Sequence, residues 1–371
     1  MAESILTVGM DVHRDTIAVA VLRGDAHEPE LENTLPNDPR KIDRFFRVLT
    51  ARGARVTSCY EASACGFVLK RMLDERGISC DVVAPSLIPH CPGDRRKTDR
   101  RDALKLARLY RAGQLSAIRV PSDAEERVRG AVRCRETLMR EVHRSRQYIL
   151  KHLLARGFVY RESGNWTKRH GTWLRGLRLE GQDQEVLETH MALLDYKLTL
   201  LAKADAGIEA LSRTEPYKGP VARLRCLKGI DTLSAMTLVC EIGDVRRFDS
   251  ARRLMGYVGL TVSEYSSGQR QRYGGITKAG SSRVRRILVE ASWLYRFPPR
   301  LSADMRKRMV DQPPELIAHC MRAQERLHRR FGKLLLRKEK AVAVTAVARE
   351  LAGFVWAAMH DDPQMWRTHD R

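Results

Sequence analysis

The sequence predicts an α/β domain with a mixed sheet at the N-terminus, followed by a longer and mostly α-helical part. One observation predicts the first half. Short apolar runs that end on Gly, Pro or an acid alternate with helical patterns as far as Leu109, and such alternation builds a sheet covered by helices. One observation predicts the second: from Pro121 on, apolar residues recur mostly at three- and four-residue steps, the period of a helix.

Taken in order, Ile5-Leu6-Thr7-Val8-Gly9-Met10-Asp11-Val12-His13 reads as a buried strand carrying an acid at its end. A turn at Arg14-Asp15 returns the chain, and Thr16 to Leu22 pairs antiparallel to it. Residues 41–52 read as a helix, Arg55 to Glu61 as a second strand ending on an acid, and Gly66 to Arg76 as an amphipathic helix. Cys80 to Pro85 is a further short strand, closed by its proline. The stretch Lys97-Thr98-Asp99-Arg100-Arg101-Asp102-Ala103-Leu104 opens another helix, continued by Ala107 and Leu109.

The pattern changes at Pro121-Ser122-Asp123, where Ser122 or Asp123 caps a helix with Glu125 and Glu126 in its first turn. Val128, Ala131, Leu138, Val142, Ile149 and Leu153 follow it. After a basic interruption from Arg156 to Gly181, Leu187, Met191, Leu194, Leu198 and Leu201 run at heptad steps that Asp205 breaks. Such a seam fits a helical hairpin within one chain, a coiled coil between two, or an ordinary two-helix core face. Glu215 to Pro220 reads as a linker. The expected domains are therefore 1–119, 120–215 and 216–371.

In the last of these, Leu227-Lys228-Gly229-Ile230-Asp231 turns between helices, a place where backbone N–H groups can seat a phosphate. Gly256 to Gly280 reads as a flexible loop of small hydroxyls, glycines and closely spaced cations, with Tyr265-Ser266-Ser267-Gly268 at its centre. A helix from Ser281 to Trp293, helices over 313–334 and 339–359, and a polar tail from His360 complete the reading.

Lys plus Arg number 67 against 45 Asp plus Glu, a net charge of +22 with a pI near 10.0. An excess spread along the whole chain calls for a nucleic acid rather than a local lipid patch. The eight cysteines show no metal-binding spacing and read as free thiols of a reducing compartment. No basic and apolar leader and no uninterrupted apolar run of about 18 residues is present, so a cytoplasmic protein without membrane partners is expected.

Asp99 and Asp102, three apart on a helix, share a face. Two adjacent carboxylates repel unless a cation lies between them. A solvated helix neutralised by its arginines satisfies that need, and so does a divalent metal with oxygen ligands, Mg²⁺ above all. Asp11 and Glu61 sit at strand ends, where functional groups of such sheets collect. His13 reads as a supporting or structural residue, and no histidine is placed as the base of a Ser-His-Asp triad. Lys97, Arg270, Arg272, Lys278, Arg283 and Arg285 are the candidate phosphate contacts.

Together these stretches resemble the DEDD transposases of bacterial insertion sequences, the bridge-RNA-guided serine recombinases. The motifs G-M-D-V-H-R-D, C-Y-E-A-S and K-T-D-R-R-D-A match that family's RuvC-like (RNase H-like) domain. L-K-G-I, R-R-F-D-S-A-R-R-L-M-G-Y-V-G-L-T, Y-S-S-G and I-T-K-A-G-S-S-R-V-R-R match its transposase domain. The resemblance implies that Asp11, Glu61, Asp99 and Asp102 are the four metal-binding acids, and that Ser267 is the nucleophile, with Ser266 beside it. The heptad seam adds the expectation of a helical coiled-coil insert, and the resemblance implies Mg²⁺, donor and target double-stranded DNA, a guide RNA, and a dimer or tetramer working at the nucleoid. Lys228 and Asp231 depart from the P-G-I-G turn common in the family. Two other functions fit the same residues: a RuvC-like metal-dependent structure-specific endonuclease in which Ser267 is a bystander, and a non-catalytic nucleic-acid-binding regulator.

Overall fold

A computed structural model describes residues 5–51, 53–89, 98–267 and 270–367. The chain divides into two compact units, Met1–Pro121 and Ser122–Arg371.

Unit 1 is a five-stranded mixed sheet with helices on both faces. Its elements are β1 (Ile5–Val12), β2 (Thr16–Arg23), β3 (Leu31–Pro36), α1 (Pro39–Thr50), β4 (Arg55–Glu61), α2 (Val68–Asp74), β5 (Ser79–Val83) and α3 (Asp99–Arg111). The strand order is β3-β2-β1-β4-β5. The first three strands form an antiparallel meander, and β4 and β5 add in parallel to β1, reached through α1 and α2. Asp38 caps α1 by accepting from the Arg40 and Lys41 amides, and Pro39 starts it.

The sheet's period of two sorts its side chains cleanly. Leu6, Val8, Met10, Val19, Val21, Val56 and Tyr60 face α1 and α2, burying Phe46, Leu49 and Leu73. The opposite face is built small. Ala18 and Ala20 meet Ala103 of α3, and Cys59 and Val83 meet Leu106. At Gly9 there is no room for a side chain, because a Cβ would overlap the Ala103 carbonyl oxygen and the Ala107 nitrogen. Small residues thus bring the α3 backbone against β1. The sequence pattern misses β3, whose residues are mostly exposed at the sheet edge.

Unit 2 holds α4 (Asp123–Ala155), α5 (Lys168–Gly176), α6 (Gln182–Leu211), α7 (Lys218–Leu224), α8 (Thr232–Ile242), α9 (Ala251–Tyr257), β6 (Val262–Glu264), β7 (Tyr273–Ile276), α10 (Ser282–Ser292), α11 (Ala303–Met309), α12 (Pro314–Leu335), α13 (Lys340–Met359) and α14 (Pro363–Arg367). Ser122 and Glu125 close a reciprocal capping box at the start of α4. The long helices α4 and α6 pack together around Val142, Ile149, Leu153, Leu187, Leu194 and Leu201. The buried positions of α6, namely Leu187, Leu194, Leu201 and Ile208, recur every seven residues. The heptad positions therefore serve a seam inside one chain.

The remaining helices enclose a separate core around α13, which is long and apolar enough to cross a membrane but has most of its surface buried within the unit. Two expectations are corrected here. The polar tail forms α14 as far as Arg367, with Trp366 buried and its indole N–H donating to the Ala357 carbonyl at 3.1 Å. The flexible loop is a two-stranded hairpin, β6 against β7. The seven described cysteines are free thiols, five of them buried and Cys134 exposed; Cys91 lies outside the described residues.

Candidate functional site

The acidic end of unit 1 follows from register and alternation. Met10 pairs with Tyr60 in the parallel β1–β4 ladder, so Asp11 and Glu61 are the next residues on neighbouring strands. Gly9 and Cys59 both face α3, and two residues further along each strand the same face presents Asp11 and Glu61. Helix α3 runs antiparallel to β1: Arg111 at its C-terminal end reaches the Gly24 carbonyl, and the Gly24 amide in turn bonds Ile5. The first turn of α3, with Asp99 and Asp102, consequently lies at the end of β1 that carries Asp11. Thr98 caps this turn, and acids are favoured at a helix N-terminus in any case.

His13 lies at this end as well. Its Nε2 is 3.3 Å from Asp11 Oδ2 and 3.6 Å from Asp99 Oδ2. Asp11, His13 and Asp99 each offer a ligand atom, all within 4.8 Å of one another. Asp102 is close enough for its charge to act on Asp11. Burial raises the Asp11 carboxyl above its ordinary pKa; His13 opposes the rise, and the charges of Asp99 and Asp102 add to it. Carboxylates that repel one another around a half-buried acid are a donor set that a divalent cation fits. The sequence reading placed the four acids, and the structure brings Asp11, Asp99 and Asp102 together, with Glu61 at the adjacent strand end. It gave His13 no ligand role, although H sits two residues after D in the same motif. Lys97 lies outside the described residues.

In unit 2, Ser267 is at the far end of the β6–β7 hairpin. The ladder pairs Val262 with Ile276 and Glu264 with Tyr273. It extends through Tyr265 N–H to the Arg272 carbonyl at 2.9 Å, and closes with reciprocal Ser267–Arg270 bonds of 3.1 Å. The two serines differ. Ser266 Oγ donates to Glu264 Oε1 at 2.6 Å and accepts from the Arg272 amide at 3.4 Å. Ser267 is exposed, and among the described residues its hydroxyl makes no hydrogen bond.

Arg270, Arg272 and Lys278 are exposed around the hairpin, and so are the Tyr265 and Tyr273 rings, which sequence reasoning did not single out. Exposed aromatics beside cations are a stacking surface for bases. Arg283 and Arg285 are engaged inside the unit. Arg283 pairs with Glu136, which also accepts from Arg286 at 3.2 Å. The Arg285 guanidinium donates to the carbonyls of Val258 at 3.0 Å, Gly280 at 3.3 Å and Ala279, holding the base of the hairpin. Gly259 and Gly280 have φ of +68° and +60°; a Cβ at Gly259 would strike the Ala279 backbone, and one at Gly280 the Tyr257 carbonyl at the end of α9. Close approach there requires glycine.

The Gly229 turn does not present a vacant helix N-terminus. Asp231 caps α8, its own carboxylate accepting the Ser234 amide at 2.8 Å. Lys228 Nζ is directed to the Phe297 and Pro298 carbonyls at 3.4 and 3.2 Å.

Residues 8–156 match the DEDD transposase family model of IS110, and residues 221–306 match the model described as Transposase IS116/IS110/IS902 family. The Sinorhizobium fredii protein y4qE is 38% identical over 359 residues, 96% of this chain and 89% of the relative. The transposase for insertion sequence element IS1533 of Leptospira borgpetersenii is 32% identical over 338 residues, 90% of this chain and 97% of the relative. Among solved structures, Thermus thermophilus RuvC covers 30% of this chain and 99% of its own, at 14% identity and a TM-score of 0.23.

Proposed function

The chain belongs to the IS116/IS110/IS902 family of transposases, and from that premise we propose that it cuts and rejoins DNA through a covalent phosphoserine at Ser267, under the direction of a guide RNA. One observation carries the metal half of this reading: Asp11, Asp99 and Asp102 converge at the strand end beside Glu61, where the charges of Asp99 and Asp102 act on the Asp11 carboxyl. The carboxylates would hold Mg²⁺, which supplies positive charge to acidify a hydroxyl and to offset charge building on a departing oxygen. The free hydroxyl of Ser267, beside a Ser266 already committed to Glu264, supports the nucleophile assignment.

In the first step, Ser267 Oγ bonds to phosphorus as one P–O ester bond breaks. The proton given up by the serine passes to the released oxygen. One ester replaces another, so the bond energy is retained and the reverse attack religates DNA without ATP. Arg270, Arg272 and Lys278 hold phosphates near the serine, and Tyr265 and Tyr273 steady the bases.

We read unit 1 as a RuvC-like catalytic domain. The α4–α6 hairpin of residues 120–215 is a basic coiled-coil arm that grips RNA or a second copy, and residues 216–371 carry the serine. A dimer or tetramer acting on donor and target duplexes in the cytoplasm, at the nucleoid, completes the proposal.

A denaturing gel with labelled DNA tests it. The wild type leaves a protein–DNA adduct; Ser267→Ala leaves none and loses strand exchange, while Ser266→Ala retains both. A second reading, a metal-dependent endonuclease using water, draws on the clustering of Asp11, His13 and Asp99 within unit 1 alone. Cleavage that persists without adduct in Ser267→Ala would establish it and overturn the first.

A further inference from the structure

We propose that unit 2 carries a second polyanion site, a cleft among α9, α12 and α13 that seats the phosphodiester backbone of a nucleic acid. The cleft has a volume of about 730 Å³ and gathers Arg252 from α9, Arg326 and Arg330 from α12, and Arg349 from α13. Against these four guanidiniums it holds two acids, Asp249 and Glu350. Glu350 lies between the α12 pair, 3.3 Å from Arg326 Nε and 3.1 Å from Arg330 Nε.

An inter-helix salt bridge accounts for Arg326 and Arg330, which join α12 to α13 through Glu350. It does not account for Arg252 and Arg349. Both are exposed, and neither makes an ion pair or side-chain hydrogen bond among the described residues. Four arginines against Asp249 and Glu350 leave an excess of positive charge at this opening, and Arg252 and Arg349 are its exposed part. The wall behind is apolar and fixed: Trp356 is buried, and its indole N–H donates to the Phe248 carbonyl at 3.0 Å. A low-dielectric wall behind a row of like charges focuses their field outward.

The shape selects the ligand class. The guanidiniums come from three separate helices around an open cleft, so an anion with several charges along its length satisfies them better than a lone phosphate does. Guanidinium forks match phosphate oxygens in two-point fashion. A phosphodiester chain, DNA or RNA, has that chemistry. A four-residue connection, 258–261, joins helix α9 to the hairpin that bears Ser267, so a strand anchored on Arg252 is held one short helix and a turn away in the chain from the reactive loop. The site needs neither the serine nor a metal and stands if the phosphoserine reading falls.

The test uses the full chain carrying Ser267→Ala, in EDTA, so that no chemistry occurs. Anisotropy of a labelled DNA duplex and of a labelled single-stranded RNA is followed against salt, with and without the pair Arg252→Gln and Arg349→Gln. Loss of two phosphate contacts flattens the plot of log K against log salt by about 1.8 for the duplex or about 1.4 for the single strand. At roughly 50 mM salt, binding then weakens on the order of a hundred-fold. The corresponding pair of lysine substitutions keeps most of the slope.

A change with DNA alone, with RNA alone, or with both supports the cleft and names its ligand. Unchanged slope and affinity with both overturns it. Should the glutamine pair fail to melt cooperatively, arginine modification by phenylglyoxal on the unsubstituted arginines decides. Protection of Arg252 and Arg349 by bound nucleic acid supports the site, and equal modification with and without it overturns the proposal.

Discussion

At the scale of single residues, a glycine determines how closely the acids assemble. Gly9 is buried where α3 crosses β1, and a Cβ there would overlap backbone atoms of Ala103 and Ala107. Those residues share the helix with Asp99 and Asp102, Ala103 directly after Asp102 and Ala107 little more than a turn beyond it. Gly9→Ala must therefore push α3 off the sheet and carry both acids away from Asp11. The expected outcome is a destabilisation of about 1–3 kcal/mol, the usual cost of overpacking a filled core, together with loss of metal-dependent DNA cleavage although no acid is removed. Gly130→Ala is the control. Nothing lies within 4 Å of its added Cβ on α4, so the same chemical change should stabilise by up to about 1 kcal/mol, the helix preference of Ala over Gly. Thermal melts of the two variants, read beside cleavage rates, separate the effects. Equal behaviour of the two would refute the role given to Gly9.

At the scale of elements, buried Glu241 at the end of α8 joins three helices. Arg133 of α4 donates to it through two nitrogens at 2.7 and 3.1 Å, and Ser281, the cap of α10, donates at 3.2 Å. Burial pushes the Glu241 carboxyl up, but the Arg133 bonds, the nearby positive charges and the Ser281 hydroxyl outweigh it, and the carboxyl stays below its ordinary pKa. A carboxyl depressed by folding contributes stability above its unfolded value, near 4.5. That contribution disappears as pH falls through the folded value. Glu241→Gln should cost roughly 1–3 kcal/mol at pH 7, less than a fully buried pair because Arg133 is half exposed. The gap between variant and wild type should close as the pH falls below the unfolded value of 4.5 and through the lower folded one; melting curves across that range check it, and a gap independent of pH would contradict the linkage.

Elements like these were unevenly legible in the sequence. Strands β1, β2 and β4 announce themselves because each has a face buried against a helix. Edge strand β3 and the β6–β7 hairpin do not, since mostly exposed residues carry no apolar period. The carboxylates could be placed because strand ends and a helix start give positions from local pattern alone. Whether a guanidinium faces solvent or a carbonyl depends on long-range packing. Arg285 was therefore read as a phosphate contact when it holds the hairpin base, while Arg252 and Arg349, nearly a hundred residues apart, were not read as neighbours.

At the scale of the whole molecule, each unit encloses its own hydrophobic core: β1, β2 and β4 with α1 and α2 in the first, the helices around α13 in the second. Residues 1–121 expressed alone are expected to fold cooperatively, and in that fragment the acid cluster can be weighed without DNA, serine or RNA. A cation that binds only the folded fragment, present at ten times its dissociation constant, adds about 1.4 kcal/mol and raises the melting temperature by several degrees. Asp11→Asn makes the prediction sharp because its two effects have opposite signs. Without metal, the substitution removes a half-buried charge that Asp99 and Asp102 repel, so the variant fragment should melt higher than the wild type. With Mg²⁺ or Mn²⁺ it lacks a ligand, so the rise seen in the wild type should shrink or vanish. A crossover of the two melting curves between EDTA and metal is the expected signature. If Asp11→Asn instead lowers stability in EDTA, the acids are held by partners other than a cation; if it leaves the metal increment intact, the ion is bound elsewhere. Either result would remove the basis for placing the metal chemistry at the end of β1.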